Sequence, residues 1–506
     1  MSSDFTSRAT PTIRIVYKHW GGRDVVVEEL KKALENRDRV AEFWRRRRQQ
    51  VEKDLTPYAA ALADAAVSAY KSGGLEAAKE AAYRYFSEAK HGKKKLVKML
   101  LPEASETLQH KRGAMLKFSR LPLLTCLGAD ICGAQCYALH GHYSKEMVKE
   151  SIMRQDAFVN LLIDEVKRRV GGDPALTAGI VGAALAGAVE AAGKAEIVRL
   201  HDAGDINDPI YAAAWMTAAK LLPSRRFYTY TKTFPNVAAK VWEDAVQYYR
   251  RLFGEPPPEN FAVNISATST NFHLLPEAAE GFARLGIQTP GVFFYAPANM
   301  ALYYRDEDWR RLAEGLVEAA RRTAGKKLIL EMEHGLGPSR SAKSALNLLR
   351  VVKEVLEYAQ AAGIPLRIVV PTTAYREDGS VDTEKTNALR EVVDTLVARG
   401  LTYTSAEEGR WTKRAGGREY EVSREVAVFD VPGVGEPVEV FIEPGSEKAC
   451  TLCRRCVVAQ HSPLRKEAFK IRITRDAGTQ LAEVPPTYAE TPQRRRAGRR
   501  KKAVEA

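Results

Sequence analysis

Between residues 112 and 405, short β-branched or aromatic runs alternate with longer amphipathic stretches, and this rhythm restricts the fold more than any other feature of the chain. The runs lie at 115–124, 196–201, 226–232, 260–266, 291–297, 327–333, 366–371 and 401–405. Helical spacing fills 145–169, 208–222, 235–253, 306–324, 341–362 and 383–399. Such repetition predicts an α/β protein with a parallel sheet and crossover helices. Eight units predict closure into a (β/α) barrel of TIM type, complete or partial. An open, doubly wound sheet is the alternative.

The flanks have a different texture. Residues 1–105 are rich in Ala, Glu, Lys and Arg with apolar residues at helical spacing, and Gly73 and Gly74 interrupt the second helical stretch. They are expected to form an appended helical domain before the 112–405 barrel. Residues 406–480 are expected to hold a β-hairpin, 418–429 against 436–442 across Val431, Pro432 and Gly433, followed by a cysteine-rich segment. The basic, Pro-rich 481–506 is expected to be a disordered tail. Residues 174–189 are uncharged but mostly Ala and Gly, so a buried, tightly packed helix is expected there rather than a membrane span. The N-terminus lacks the apolar core of a signal peptide, so the expected address is the cytoplasm, where clustered thiols point to metal rather than to disulfides.

All six cysteines fall into two triplets, Cys126, Cys132, Cys136 and Cys450, Cys453, Cys456. Buried structural cysteines have no reason to cluster, whereas metal sites require several soft thiolates within a short loop. The C-x2-C-x2-C spacing of the second triplet suits a four-iron cluster. A zinc site needs a fourth ligand, which His140, His142 or His461 would have to supply. The favoured reading is one or two 4Fe-4S clusters, with zinc as the alternative. Whether the triplets form one site or two stays open.

Other polar residues recur at predicted strand ends. His201, Asp202 and Asp205 follow the second strand and suit amine binding or general acid–base work, although Asp205 or Asp208 could instead cap the helix that begins near Pro209. Lys232 ends the third strand, Asn264 and Ser266 the fourth, and Glu331, Glu333 and His334 the sixth. Each alone could be an ion pair or a polar rim, but together they predict a common pocket. Asp202, Asp205 and Lys232 are its candidate catalytic groups, and His201, Asn264, Ser266, Glu331 and Glu333 its cofactor-binding groups. No phosphate loop or dinucleotide fingerprint is present.

The run Cys132-GAQ-Cys136-YALHGHY, then RLHDAGDI, FYTYTK, NISAT and a late CTLCRRC, resembles the phage "gene product 88" family. That family in turn looks like a distant relative of the radical S-adenosylmethionine enzymes. The resemblance implies that Cys126, Cys132 and Cys136 hold a four-iron cluster after the first strand, with Asp202 or Asp205 near the amine of S-adenosylmethionine. The spacing departs from the usual C-x3-C-x2-C, being C-x5-C-x3-C here.

The net charge is +14, and seven cations between Arg494 and Lys502, with further runs at 45–48 and 93–95, favour a polyanionic partner. The leading expectation is therefore an iron–sulfur barrel enzyme, radical S-adenosylmethionine-like, acting on nucleic acid or nucleotide and not embedded in a membrane. The alternatives are a zinc-stabilised nucleic-acid-binding protein and a transglycosylase-like base-modifying enzyme that uses Asp202 or Asp205.

Overall fold

The computed structural model describes residues 9–88, 115–332, 338–374, 381–415, 418–444 and 472–476. Two helices open the chain, α1 (Pro11–Trp20) and α2 (Asp24–Ser87). α2 runs through Pro57 and loses helical geometry at Gly73 and Gly74, where the second glycine adopts a positive φ. Strand β1 (Met115–Phe118) leads through the first cysteine loop to α3 (Glu146–Arg169) and α4 (Pro174–Ala192). Then strand and helix alternate: β2 (Ile197–Leu200), α5 (Pro209–Leu221), β3 (Arg226–Thr231), α6 (Ala239–Phe253), β4 (Phe261–Ala267), α7 (Leu275–Leu285), β5 (Gly291–Ala296), α8 (Asp306–Arg322), β6 (Lys327–Met332), α9 (Pro338–Ala361), β7 (Leu366–Pro371) and α10 (Thr383–Ala398). Four more strands end the described chain: β8 (Tyr403–Ala415), β9 (Arg418–Val431), β10 (Val438–Glu443) and β11 (Arg472–Asp476).

Local chemistry sets the helix starts. Asp173 and Asp208 each precede a proline and accept from the backbone N–H of Leu176 and Tyr211, capping α4 and α5. Asp208, one of the two residues expected to cap α5, does so.

The strands form one mixed sheet in the order β1-β2-β3-β4-β5-β6-β10-β7-β9-β8-β11. From β1 to β6 each strand pairs in parallel with the next in sequence. Because this order never reverses, right-handed crossovers place successive helices on the same face. α4, α5 and α6 pack in turn, as do α7, α8, α9 and α10. This winding runs one way from β1 to β6 and so differs from that of a doubly wound sheet. Closure is another matter, since β1 and β11 stand at opposite ends of the order and no ladder joins them among the described residues. A closed TIM barrel is not shown.

The expected hairpin is corrected. β9 pairs antiparallel with β7 and β8, while β10 pairs in parallel with β6 and β7 and inserts between them. The physical reason is burial on both faces: Val438, Val440, Phe441 and Ile442 are all buried, so β10 belongs inside a sheet rather than in an exposed ribbon. The turn at Val431, Pro432 and Gly433 thus leads into a crossover, not a hairpin.

The main apolar core lies between the sheet and its helices and extends into α1 and α2. α4 is long and apolar enough to cross a membrane, yet 78% of it is buried inside the fold, as expected for a core helix. A Cβ on Gly187 of α4 would stand 2.6 Å from the backbone of Lys79 and of Tyr83 in α2, so close helix approach requires glycine there. A smaller apolar cluster occupies the other face of the sheet, from Met115 in β1 through Ile197, Tyr228, Ala262, Ile329 and Phe441 to Ala406 and Val426. This inner face of the sheet lies opposite the main core.

Gly187→Val should therefore lower unfolding free energy by about 1–3 kcal/mol in chemical denaturation, because backbone rather than a flexible side chain must yield. Native stability in that variant would contradict the close α2–α4 packing.

Candidate metal centre

The first cysteine loop lies over the carboxyl ends of the parallel strands. Cys126, Cys132 and Cys136 are half-buried and free of disulfides. The loop is pinned from three sides. Asp130, two residues before Cys132, accepts from the Cys132 N–H at 3.0 Å through one oxygen. Its other oxygen accepts from the hydroxyls of Thr268 and Thr270, in the connection after β4. From the N-terminal helices, the Thr10 hydroxyl donates to the Ala129 carbonyl (3.1 Å), Thr12 to Leu127 (3.3 Å) and the Asn36 amide to Gly133 (3.0 Å). Under the loop, a Cβ on Gly128 would collide with the Lys232 carbonyl at 1.7 Å, so only glycine permits the loop to lie this close to the end of β3.

Lys232 sits among the thiols. Its Nζ donates to the Ser266 hydroxyl at 2.8 Å. Burial disfavours the ammonium, but Cys132, Asp130, Asp205 and Cys126 together hold its pKa above the ordinary lysine value. The thiols respond oppositely: burial pushes all three up, with Asp205 adding for Cys126 and Asp130 for Cys132, while Lys232 offsets part of the rise. Neutral thiols must lose protons to bind metal, so any metal loading of this loop would release protons.

Among the described residues no three His, Cys, Asp or Glu side chains converge as ligands of a single ion. The three thiols are near enough to influence one another electrostatically, yet they are not gathered as a mononuclear zinc site would gather them. A cubane is larger than one ion and takes thiolates spread around it. His140 is exposed at the loop's end. Cys450, Cys453, Cys456, His461, Glu333 and His334 lie outside the described residues.

The structure separates the expected polar residues into distinct roles. The Asp205 carboxylate accepts from the Thr231 hydroxyl (2.7 Å), the N–H groups of Ile206 (2.7 Å), Lys232 (2.9 Å) and Thr233 (3.2 Å), and the Thr233 hydroxyl (3.2 Å). Burial pushes its pKa up against these donors. With five donors already on it, Asp205 ties the exit of β2 to that of β3 and has little capacity left for a ligand amine or a reacting sugar. His201 turns to the helix side at a positive φ of 60°, its Nδ1 2.7 Å from the Thr229 hydroxyl and its Nε2 2.8 Å from the Tyr211 hydroxyl. Both ring nitrogens are engaged, so His201 is a buried structural imidazole rather than a cofactor ligand. Burial, aided by the Arg120 charge, lowers its pKa to about 3.

Asp202 faces the other way. It meets Lys117 at 3.3 Å, Arg199 at 3.2 Å and the Tyr143 hydroxyl at 2.6 Å. Against the effect of burial, these partners hold its carboxyl below the usual range. Asn264 and Ser266 share the inner face of β4, and the Asn264 amide donates to Thr229 at 3.3 Å. Glu331 is buried on β6, in register with Glu443 of β10 and within the electrostatic reach of Lys385, on strands away from the cysteine loop. The structure thus brings Cys126, Cys132, Cys136, Lys232 and Ser266 together, with Asp205 as their support.

Sequence reasoning missed Asp130, Lys117, Arg199 and the braces Thr10, Thr12 and Asn36. Asp130 carried a signal, an Asp two residues before the N–H that it accepts, as in an Asx turn. The braces carried none, because their contacts span about a hundred residues. A separate cavity of about 510 Å3, bordered by His19, His273, Arg311 and Glu314, contains none of the cysteines.

Residues 84–289 match a family model described as gene product 88, a stretch shorter than half of the chain. It includes the first triplet, His201, Asp202, Asp205, Lys232, Asn264 and Ser266, but neither Glu331 nor the second triplet. The match supports the resemblance to the phage gene-product family over that stretch. No characterised protein and no solved structure matches the chain, and no match supports kinship with radical S-adenosylmethionine enzymes.

The neutral, buried His201 has a consequence for pH. Between pH 6.5 and about 3 the unfolded chain binds a proton there that the folded chain does not. Its contribution to stability is complete above pH 6.5 and falls as the solution is acidified, by up to about 1.4 kcal/mol per pH unit. His201→Gln should be less stable than the native chain at pH 8, with the difference shrinking by pH 5. A difference constant with pH would show that His201 is not held neutral.

Proposed function

We propose that the chain is an iron–sulfur enzyme whose cluster is held by Cys126, Cys132 and Cys136 at the carboxyl ends of its parallel strands, and which acts on nucleic acid or nucleotide. The observation that carries this reading is the pinned loop of three free thiols around Lys232. A cluster with only three cysteine ligands supplies, when bound, redox chemistry and one iron open to a small molecule. Lys232 would stand as the compensating cation beside the thiolates, fixed by Ser266 and by the Asp205 clamp on its backbone. Asp130 and the α1–α2 braces would keep the three sulfurs in one geometry without a metal to organise them. The second triplet would hold a further cluster.

S-adenosylmethionine as the small molecule is the finer form of this proposal, and its support is the position of three cysteines after the first strand. In that form the amine would not sit on Asp205, whose acceptor capacity is taken, and Asp202 is the carboxylate left to meet it. The nucleic-acid part rests on charge. The described arginine run does not carry it, since Arg45 and Arg46 pair with Glu42, Arg47 with Glu146 and Arg48 with Glu52. The terminal cations Arg494 to Lys502 remain the electrostatic argument. No specific observation favours the transglycosylase reading, which needs a carboxylate free to attack a sugar.

Protein purified without oxygen should contain iron and sulfide in equal amounts, near four per chain for each cluster. The triple change Cys126→Ser, Cys132→Ser, Cys136→Ser should remove about four of each while leaving the melting temperature of the metal-free chain close to native. Unchanged iron in the triple variant, or zinc in place of iron, would contradict the proposal.

A further inference from the structure

The cavity of about 510 Å3 that contains none of the cysteines is built by α1, α8 and the turn before α7. Gly315 forms part of its wall, where a Cβ would stand 2.6 Å from the Phe272 carbonyl, so α8 lies directly against that turn. The rings of His19 and His273 stack beside it, 4.3 Å apart and within 9° of parallel. His19 is exposed, whereas both ring nitrogens of His273 are buried without a hydrogen-bond partner. Burial and then His19 lower the His273 pKa to about 4, and the Thr270 backbone opposes the fall without completing a hydrogen bond. α8 borders the cavity with four charged side chains. Two are already engaged: Arg322 pairs with Glu280 at 2.9 Å and with Glu318 at 3.3 Å, and Glu318 also meets Arg321 and the Tyr358 hydroxyl. The other two, Arg311 and Glu314, are exposed and have neither an ion pair nor a hydrogen bond among the described residues. Burial and then the Arg311 charge lower the His19 pKa, which puts the guanidinium within reach of the imidazole pair.

Opposite charges three residues apart on a helix are neighbours and tend to pair. Arg311 and Glu314 do not, and both border the same cavity. A simple anion attracted by Arg311 would be repelled by Glu314, and a simple cation would meet the converse, whereas a molecule carrying both charges satisfies both. A single metal ion does not fit either, because parallel imidazoles do not aim their nitrogens at one point and no three ligands converge among the described residues. We infer that this cavity binds a small zwitterion of the α-amino-acid class, its carboxylate on Arg311, its ammonium on Glu314 and its side chain against Phe272 and the imidazole pair. Flat rings on that wall favour an aromatic side chain, and the volume is that of a small-molecule site. The site stands close to the cysteine loop through hydrogen bonds. Trp20, next to His19, donates to the Thr270 carbonyl at 3.1 Å, and the Thr270 hydroxyl donates to Asp130 at 3.1 Å. Binding there requires no metal and is independent of the proposed cluster.

The test is isothermal titration calorimetry on the full chain with L-phenylalanine and two single-charge analogues. L-Phenylalanine should bind with a Kd of about 1 mM or tighter. 3-Phenylpropionate, which lacks the ammonium, and phenethylamine, which lacks the carboxylate, should each bind about tenfold or more weakly. Arg311→Gln should weaken L-phenylalanine by about tenfold and leave phenethylamine no weaker, and Glu314→Gln should weaken L-phenylalanine similarly and leave 3-phenylpropionate no weaker. Both positions are exposed, so both variants should melt close to the native temperature. Native affinity for L-phenylalanine in either variant overturns the inference. So does equal binding of 3-phenylpropionate and L-phenylalanine, which would make this a simple anion site, or no L-phenylalanine binding up to about 10 mM.

Discussion

A loop of three reduced cysteines has no intrinsic reason to hold one shape, and in this protein two buried carboxylates supply it. Asp205 gathers donors from the exits of β2 and β3, while its own N–H reaches the hydroxyl of Thr125, next to Cys126. Asp130 joins the middle of the loop to the connection after β4. Each carboxylate is an acceptor for several donors that would otherwise be buried without partners, and leaving such donors unpaired costs roughly 1–3 kcal/mol apiece. The position of Lys232, the close approach of Gly128 and the arrangement of the thiols all follow from these two clamps.

The N-terminal helices belong to the same mechanical unit. α1 and α2 contact the outer side of the cysteine loop through Thr10, Thr12 and Asn36, and they share the main apolar core with α4. A segment whose composition suggests a separate helical module thus braces the loop that carries the candidate chemistry. Preorganisation of this kind limits the reordering needed when a large group binds.

Much of the sheet was legible in the chain. The apolar runs mark β1 to β7 and the start of β8; in β1 to β6, which pair in parallel, cover on both faces keeps the strands nearly continuously apolar. β10 was placed wrongly for a related reason: a run preceded by Pro432 and Gly433 looks locally like the second arm of a hairpin, and only its burial on both sides assigns it between β6 and β7. At the site, residue type identified His201, Asp202 and Asp205 as a group, but not that the chain turns at His201. The positive φ there sends His201 to the helices, Asp202 to the inner face and Asp205 under the loop. Three roles within five residues depend on backbone direction, which residue identity does not encode.

The proposed centre at Cys126, Cys132 and Cys136 would hold iron in a cluster, not a single zinc ion. X-ray absorption at the iron and zinc edges, on protein purified without oxygen, addresses this most directly. The predicted result is an iron edge whose fine structure shows sulfur neighbours and a short iron–iron vector, both lost when the three cysteines are replaced. A zinc edge with sulfur or nitrogen neighbours and no metal–metal vector would contradict it.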